Sequence, residues 1–526
     1  MSNMTHWADS NAEKVIRAKG DRPIYTCASG ITPSGTVHIG NFREIISVEL
    51  IVRALRERGK EVRFIYSWDD YDVFRKVPKN LPHGEEWHRY LRMPITLVPD
   101  PWERAENYAR SNEVELEKLL PTVGVEPHYI YQAQEYRSSR YARGIRTALE
   151  NRDLIRGILN EHRSEPLPPE WFPISVFSNF TNKDTTTVLA WDGEWGVTYR
   201  CEESGKEETV DLRETSAVKL LWRIDWPMRW AEEGVDFEPA GKDHHSEGGS
   251  FDTAERIVRE VYKAEPPVTF QYDFIRIKGR GGKISSSSGE VVDLAEVLSV
   301  YQPEIVRYLF VSTKPNSEFA ISFDLDVIKI YEDYDRTERV YFGIDEVGDT
   351  KREKESRIYE LSQVRDVPKE APLQFAFRHL CNLLLIHAGE IEAALDAYPG
   401  GLELSEEARE RGRVRARCAW NWINTYAPEE FRFSLRSAEE GPIEIDPGMR
   451  EVVIELRDRL ATEYEERDEK GIQELVYEVS RSHGVEPKEF FPVMYRILVG
   501  KEKGPRLGGF IKTIGKERVL SLLRLY

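Results

Sequence analysis

Cysteine and long apolar runs are scarce in this chain, and its 74 basic residues are outnumbered by 92 acidic ones. Four cysteines occur in 526 residues, at Cys27, Cys201, Cys381 and Cys418. They lie far apart and form no Cys-x-x-Cys pair. That argues against a disulfide framework and against a four-cysteine zinc site. They read instead as reduced thiols behaving as small buried hydrophobes. No apolar run reaches membrane-spanning length, and the start at Met1-Ser2-Asn3-Met4-Thr5-His6-Trp7 lacks a signal-peptide pattern. A cytoplasmic protein without membrane association is the expectation. The net charge of -18 argues against non-specific affinity for nucleic acid. A specific RNA partner still needs only a local basic patch. No internal repeat or low-complexity segment is present. What remains, 40% hydrophobic and 11% aromatic residues, is enough for real cores, and the length predicts several domains.

The first part of the chain reads as α/β. Tyr25-Thr26-Cys27-Ala28-Ser29 is a β-prone run ending in a glycine-rich loop. Ile45, Val48, Val52 and Leu55 follow at spacings of three and four, which predicts a helix stopped near Gly59. Val62 to Trp68 predicts a second strand ending at Asp69-Asp70. Strand, glycine loop, helix, strand opens a doubly wound parallel sheet, in which ligands bind at the carboxyl ends of the strands. From about Pro94 to Arg213 charged helical stretches give way to Glu165-Pro166-Leu167-Pro168-Pro169 and then to a β-rich piece. Asp192-Gly193 between two strand-like runs predicts a hairpin. This piece reads as an insertion between two halves of the sheet. α/β character returns around Leu220 to Lys283, and from about Val327 the chain reads as helical.

Two motifs carry chemistry. Ile31-Thr32-Pro33-Ser34-Gly35-Thr36-Val37-His38-Ile39-Gly40-Asn41 joins the first strand to the first long helix. Its glycines permit close backbone approach, and the helix start favours anions. His38 there can donate to a phosphate as negative charge builds. The bland alternative, a turn with a structural histidine, is weakened by the Pro-Ser-Gly lead-in. The second motif is Gly279-Arg280-Gly281-Gly282-Lys283-Ile284-Ser285-Ser286-Ser287-Ser288-Gly289. A glycine-flanked loop offering a lysine and several hydroxyls suits a triphosphate that loses pyrophosphate. Alone it would read as a linker; the pairing with the first motif favours the catalytic reading.

Together, His38-Ile39-Gly40-Asn41 and Lys283-Ile284-Ser285-Ser286-Ser287 resemble the HIGH and KMSKS signatures of class I aminoacyl-tRNA synthetases. Ser286 stands where a second lysine is usual. Trp68-Asp69-Asp70-Tyr71-Asp72, Leu221 to Trp230, Phe237 to His244 and Thr32-Pro33-Ser34-Gly35 narrow the resemblance to the class I lysyl-tRNA synthetases, nearly end to end. The resemblance implies a Rossmann-like doubly wound α/β catalytic domain with an inserted subdomain, followed by an all-α domain. Its implied boundaries are 1–95 and 216–290 for the two catalytic halves, 96–215 for an acceptor-end insertion, 291–345 for a stem-contact region and 346–526 for a helical anticodon-binding domain. Metal ligands that many relatives carry in the insertion are missing: Val176-Phe177-Ser178-Asn179-Phe180 and Arg200 to Gly205 retain only Cys201, and Arg104 and Ala105 follow Pro99-Asp100-Pro101-Trp102. A zinc ion needs about four ligands, so no structural zinc is expected.

The implied chemistry is activation of lysine by ATP, then transfer to the terminal ribose of tRNA(Lys). His38, Gly40, Asn41, Lys283, Ser285 and Ser287 are the catalytic candidates. Pro33, Ser34, Gly35, Gly241, Asp243, His244 and Ile284 are candidates for ATP, with Mg²⁺ held mainly by phosphates and water. A metal site or helix cap is the alternative reading of Asp243-His244-His245. A desolvated ammonium needs a carboxylate or an aromatic face. Gly30, Thr32, Asp70, Trp222, Asp225 and Tyr272 are the candidates for the lysine pocket. Plain core packing is the alternative for Trp222, and a strand-end turn for Asp69-Asp70. Lys501, Lys503, Arg506 and Lys512 form a C-terminal basic patch for tRNA, with Phe510 and Tyr526 available to stack bases. Arg411, Arg413, Arg415 and Arg417 form a second basic cluster, and a solvated helix face is the alternative for each. No obligate protein partner is evident. The competing functions are a glutamyl-type class I synthetase, a nucleotidylyltransferase with the same motifs, and an inactive RNA-binding protein.

Overall fold

The structure, a computed structural model, describes residues 6–78, 81–82, 84–278 and 291–526. Lys283, Ile284, Ser285 and Ser287 lie outside the described residues. The chain divides into two compact units. The first holds residues 1–298, 303–321 and 337–369, and the second holds residues 299–302, 322–336 and 370–526.

The first unit is built on a parallel sheet. α1 (Trp7–Lys19) leads to β1 (Tyr25–Ile31), α2 (Ile39–Glu57) and β2 (Val62–Trp68). β1 and β2 pair in parallel, with Tyr25 opposite Val62 and Ile31 opposite Trp68. This is the strand–loop–helix–strand unit expected from the sequence, and Gly59, at φ 72°, follows the helix end. α3 (Tyr108–Leu119) precedes β3 (His128–Tyr131), which pairs in parallel with β2. On the other side of β1, Phe237 bridges Cys27 and Val268 in parallel. The same sheet direction continues in β9 (Ala240–Gly241) and β10 (Gln271–Tyr272), which are parallel to each other. Reading across, the order is third, second, first, fourth, fifth. That order reverses at β1, the doubly wound topology in which a crevice forms at the carboxyl ends of the strands.

The segment between β3 and the fourth strand carries α4 (Gln132–Arg137), α5 (Ala142–Glu150), α6 (Arg152–Asn160), five strands and α7 (Trp222–Glu233). β4 (Ile174–Val176) pairs antiparallel with β8 (Val218–Leu220). β5 (Thr186–Trp191), β6 (Gly196–Cys201) and β7 (Glu207–Asp211) form an antiparallel meander, and Gly193 turns the expected Asp-Gly hairpin at φ 87°. β3 lies inside the stretch 96–215 expected to be insertion. The first half of the catalytic sheet therefore runs past residue 95, to Tyr131. A four-residue strand behind Glu126-Pro127 has too little alternation to be seen in the sequence.

α8 (Ser250–Glu260) links the fourth and fifth strands, and β11 (Ile275–Ile277) pairs in parallel with β12 (Phe319–Ile321). α9 (Leu294–Val300), α10 (Pro303–Val311), α11 (Asp326–Tyr341) and α12 (Asp349–Ser362) follow. α12 belongs to the catalytic unit, so the helical domain expected from 346 starts near 370. Buried charge holds it there. Arg307 donates to the Leu361 carbonyl at 2.8 Å and pairs with Glu49 at 2.7 Å. Arg357 pairs with Asp9 at 2.9 Å. The second unit contains helices from α13 (Phe377–Ile386) to α20 (Lys516–Leu523) around an apolar core that includes Leu456, Ile472, Phe490 and Phe510. No helix among the described residues is long and apolar enough to cross a membrane.

Candidate active site

The first motif folds as a helix N-terminus aimed at the crevice. His38 is the N-cap of α2: its Nδ1 accepts the Asn41 N–H at 3.3 Å, and the Asn41 side chain accepts the His38 N–H at 3.3 Å. This reciprocal box fixes the imidazole relative to the free helix N–H groups. A Cβ on Gly40 would sit 2.9 Å from the His38 ring, so only glycine lets the ring lie there. The loop before it is pinned by α3. Asn112 donates to the Pro33 carbonyl at 3.3 Å and Tyr108 to the Ser34 carbonyl at 2.9 Å. Pro33 is buried and Ser34 exposed. The chain resumes after residue 290 against this same point. The Val292 carbonyl accepts the Ile39 N–H at 2.8 Å, and Asp293 bridges His38. On the other side, buried Arg43 donates to the carbonyls of Asp273 at 2.7 Å and Ser317 at 2.7 Å. Both ends of the segment bearing the second motif are thus tied to α2.

Beside the motif is a cavity of about 90 Å³ whose walls include Gly30, Glu44, Ser67, Asp69, Trp222, Trp226, Arg229, Trp230, Glu238 and His244. It lies beside the carboxyl ends of β1 and β2 and is closed by residues 238–240 and His244 around β9. Glu44, one turn into α2, accepts from the Ser29 hydroxyl at 2.7 Å, the Gly30 N–H at 3.3 Å and the Tyr272 phenol. Burial pushes its carboxyl pKa up, and the Tyr272 and Ser29 hydrogen bonds pull it back. Gly30 is required because a Cβ would meet the Ser67 carbonyl at 2.7 Å. Trp222, Trp226 and Trp230 recur every four residues of α7 and form an aromatic ladder; Trp222 stacks on Trp226 with ring centroids 5.0 Å apart. Trp222 is 40% exposed and lines the cavity, so it is not plain core. His244 reaches the wall from the turn after Gly241, and its Nδ1 meets the Ser250 hydroxyl. The Tyr272 ring lies 3.6 Å from where a Gly241 Cβ would stand, and Asp243 is exposed.

The structure does not bring every lysine-pocket candidate to this cavity. Asp69 lines it, but Asp70 does not. Consecutive residues leaving a strand point to opposite faces. Asp70 accepts the Ala133 N–H at 2.7 Å and faces a separate cavity with Arg110 and Glu113. Burial pushes its pKa up to about 6. Asp225 is also turned away: one turn before Arg229 on α7, it pairs with that guanidinium at 3.2 Å and accepts from Tyr136. Arg229 reaches on to Asp69 at 2.6 Å. Asp225 is a buried counter-charge rather than a wall of the cavity. Tyr272 does not line the wall and meets the cavity only through Glu44. Glu44 and Glu238 were missed in the sequence; a carboxylate among Phe42, Ile45 and Ile46 on an otherwise apolar helix face was the available signal.

In the knuckle of the insertion, Cys201 is buried and its Sγ lies 3.8 Å from the Thr181 hydroxyl. Burial raises its pKa, but hydrogen bonds from Ser178, Ser204 and Thr181 outweigh this and lower it to about 7. Among the described residues no group of three or more His, Cys, Asp or Glu could hold a metal ion.

In the second unit a groove of about 630 Å³ is lined by Arg378, His379, Phe431, Lys501, Lys503, Pro505 and Arg506. Lys501 donates to the Glu429 and Arg432 carbonyls at 2.7 and 2.6 Å. Lys512 lies 4.1 Å over the Tyr464 ring and donates to the Tyr464 carbonyl, so its ammonium is engaged within the fold. Phe510 is 2% exposed and packs edge-on against Phe433, which removes it as a stacking platform. Tyr526 accepts the Ile443 N–H at 2.9 Å. Three arginines of the second cluster are held in ion pairs: Arg415 with Asp335 at 2.8 Å, Arg413 with Glu392 at 2.7 Å and Arg417 with Glu410 at 3.0 Å.

The sequence matches known proteins over its whole length. The family described as tRNA synthetases class I (K) matches residues 5–365. A lysine–tRNA ligase of Borreliella burgdorferi is 52% identical over 521 residues, covering 99% of this chain and 99% of that one. A lysine–tRNA ligase of Treponema pallidum is 52% identical over 527 residues, covering 99% of this chain and 98% of the other. A lysine–tRNA ligase of Pyrococcus furiosus is 41% identical over 530 residues, covering 99% and 100%. The family match over residues 5–365 and relatives at 52% identity over the whole chain settle the family: the chain belongs to the class I (K) tRNA synthetases.

Proposed function

We infer that this chain is a lysine–tRNA ligase: it activates lysine with ATP, releasing pyrophosphate, and passes the lysyl group to the terminal ribose of tRNA(Lys). Relatives bearing that name over the whole chain support the reading. The observation that carries it to the site is Glu44, a carboxylate gripped by Ser29, Gly30 and Tyr272 at the cavity wall, beside an indole face. That is the chemistry a desolvated ammonium needs. A glutamate side chain would meet Glu44, Asp69 and Glu238, and Arg229, the guanidinium that lines the cavity among the described residues, is neutralised by Asp69 and Asp225.

In the reaction, the lysine carboxylate attacks the α-phosphate. His38, at the capped helix N-terminus, donates to the phosphate oxygens as charge develops, assisted by Gly40 and Asn41, which set the ring's position. Lys283 is assigned the charge that follows departing pyrophosphate, with Ser285 and Ser287 as weaker helpers, from their motif alone. Catalysis of this type is positioning and charge stabilisation. Pro33, Ser34, Gly35, Gly241, Asp243 and His244 are assigned to the nucleotide, Asp243 to its ribose hydroxyls, and Ile284 is assigned with them from its motif alone. Mg²⁺ would come with the nucleotide and would neutralise phosphate charge, with no protein ligand group for it among the described residues. Gly30, Thr32, Glu44 and Trp222 hold the amino acid. The groove with Lys503 and Arg506 is the tRNA surface of the helical unit, and residues beyond β3 up to about 215 receive the acceptor end. The test is charging of total tRNA with each of the twenty amino acids. Lysine alone is expected to support charging, and preferred charging of glutamate would overturn the reading.

A further inference from the structure

Two carboxylates of the cavity, Glu44 and Glu238, form no ion pair among the described residues. Glu238 stands between Phe237 and β9 and is 8% exposed. One oxygen accepts the Trp226 indole N–H at 3.1 Å and the other the Trp230 indole N–H at 2.6 Å. Glu44 faces the same space from α2. The other charges facing them are accounted for. From α7, Arg229 is held by Asp69 and Asp225, and Glu233 by Arg63 and Arg140. From the turn after β9 comes His244, whose burial lowers its pKa. From β2 and β10 come Tyr66 and Tyr272, whose phenols burial raises far above neutrality.

Two like charges in a shared, poorly solvated space cannot both ionise cheaply. Burial first, and then the Glu44 charge, push the Glu238 carboxyl up to about 7, against the pull of the two indole N–H groups and Arg229. A cationic side chain entering between them removes the reason to stay protonated. We propose that Glu238 is a second specificity-determining carboxylate, which carries a proton in the empty cavity and gives it up to solvent when the ammonium side chain of the amino acid enters. This rests on the reading that the amino acid is lysine. It makes lysine binding an exchange of one cation for another, and a neutral side chain, which cannot displace that proton, leaves the Glu44 charge uncompensated.

The sign follows from linkage. Below the pH at which free Glu238 ionises, binding must displace its proton, and affinity falls about tenfold per pH unit; above it, affinity is flat. L-lysine binding to the full chain should therefore be about tenfold weaker at pH 6 than at pH 8. Titration calorimetry in two buffers of different ionisation enthalpy should show about one proton released per lysine at pH 6 and almost none at pH 8. Glu238→Gln should flatten the pH profile and weaken discrimination against norleucine. Trp226→Phe keeps the carboxylate and removes one N–H donor, so it should move the midpoint of the profile to higher pH, which a packing role alone would not do. Should Glu238→Gln fail to fold, the Trp226→Phe profile decides. Lysine binding that is tight at pH 8 yet independent of pH and without proton release overturns the proposal and leaves the lysine assignment standing. A pH dependence that survives Glu238→Gln overturns it too. If glutamate binds and lysine does not at any pH, both fall.

Discussion

Glu44→Gln isolates the charge that the cavity offers to an ammonium. The amide keeps the shape of the carboxylate, and one oxygen can still accept from Tyr272 or from Ser29 and Gly30. What is lost is the negative charge. At about 4 Å and an effective dielectric near 20, opposite unit charges attract by about 4 kcal/mol. The amide dipole that remains returns part of this, so a net loss of about 3 kcal/mol is expected, or about 10²-fold in lysine affinity. The fold should not suffer, because burial already disfavours the ionised carboxyl. Folded-state pKa is raised, so ionised Glu44 opposes folding above its unfolded pKa, and the variant should melt no lower than wild type at pH 8. Steady-state charging should show the lysine KM raised about 10²-fold, with the KM for ATP little moved. Tyr272→Phe removes only a hydrogen bond to the same carboxylate and should cost less. A Glu44→Gln variant with unchanged lysine KM would refute the placement of the ammonium against this side chain.

Other outcomes follow from the same geometry. His38→Ala and Lys283→Ala should each slow single-turnover adenylate formation about 10²–10³-fold while lysine affinity stays near wild type. If the His38 variant adenylates at full rate and loses only tRNA binding, the first motif does not serve ATP chemistry. Arg506→Ala should weaken tRNA binding and make its salt dependence shallower by about one unit; Lys512→Ala, whose ammonium is engaged with Tyr464, should leave that slope unchanged. Protein purified without added metal should contain no stoichiometric zinc, and elemental analysis near one zinc per chain would show that the knuckle around Cys201 finds ligands by another route.

Periodicity and motif order alone determined the opening of the fold. Tyr25 to Ile31, the helix after His38, Val62 to Trp68 and the Asp192-Gly193 hairpin were all legible because they depend on neighbours in sequence. So was the role of the first motif as a helix start, since capping is local. Tertiary structure decided the rest. β3 is too short to announce itself, and its place beside β2 exists only once the sheet forms. The choice of Asp69 over Asp70 for the cavity turns on which way each points after the strand ends. Asp225, Phe510 and Arg415 have the composition of binding residues. Their burial against Arg229, Phe433 and Asp335 depends on distant segments that composition does not encode. Glu44 and Glu238 are 194 positions apart in the numbering. Only the parallel sheet, by setting β1 beside the fourth strand, puts both carboxylates around one cavity, where burial and mutual repulsion give each a chemistry that neither has in the extended chain.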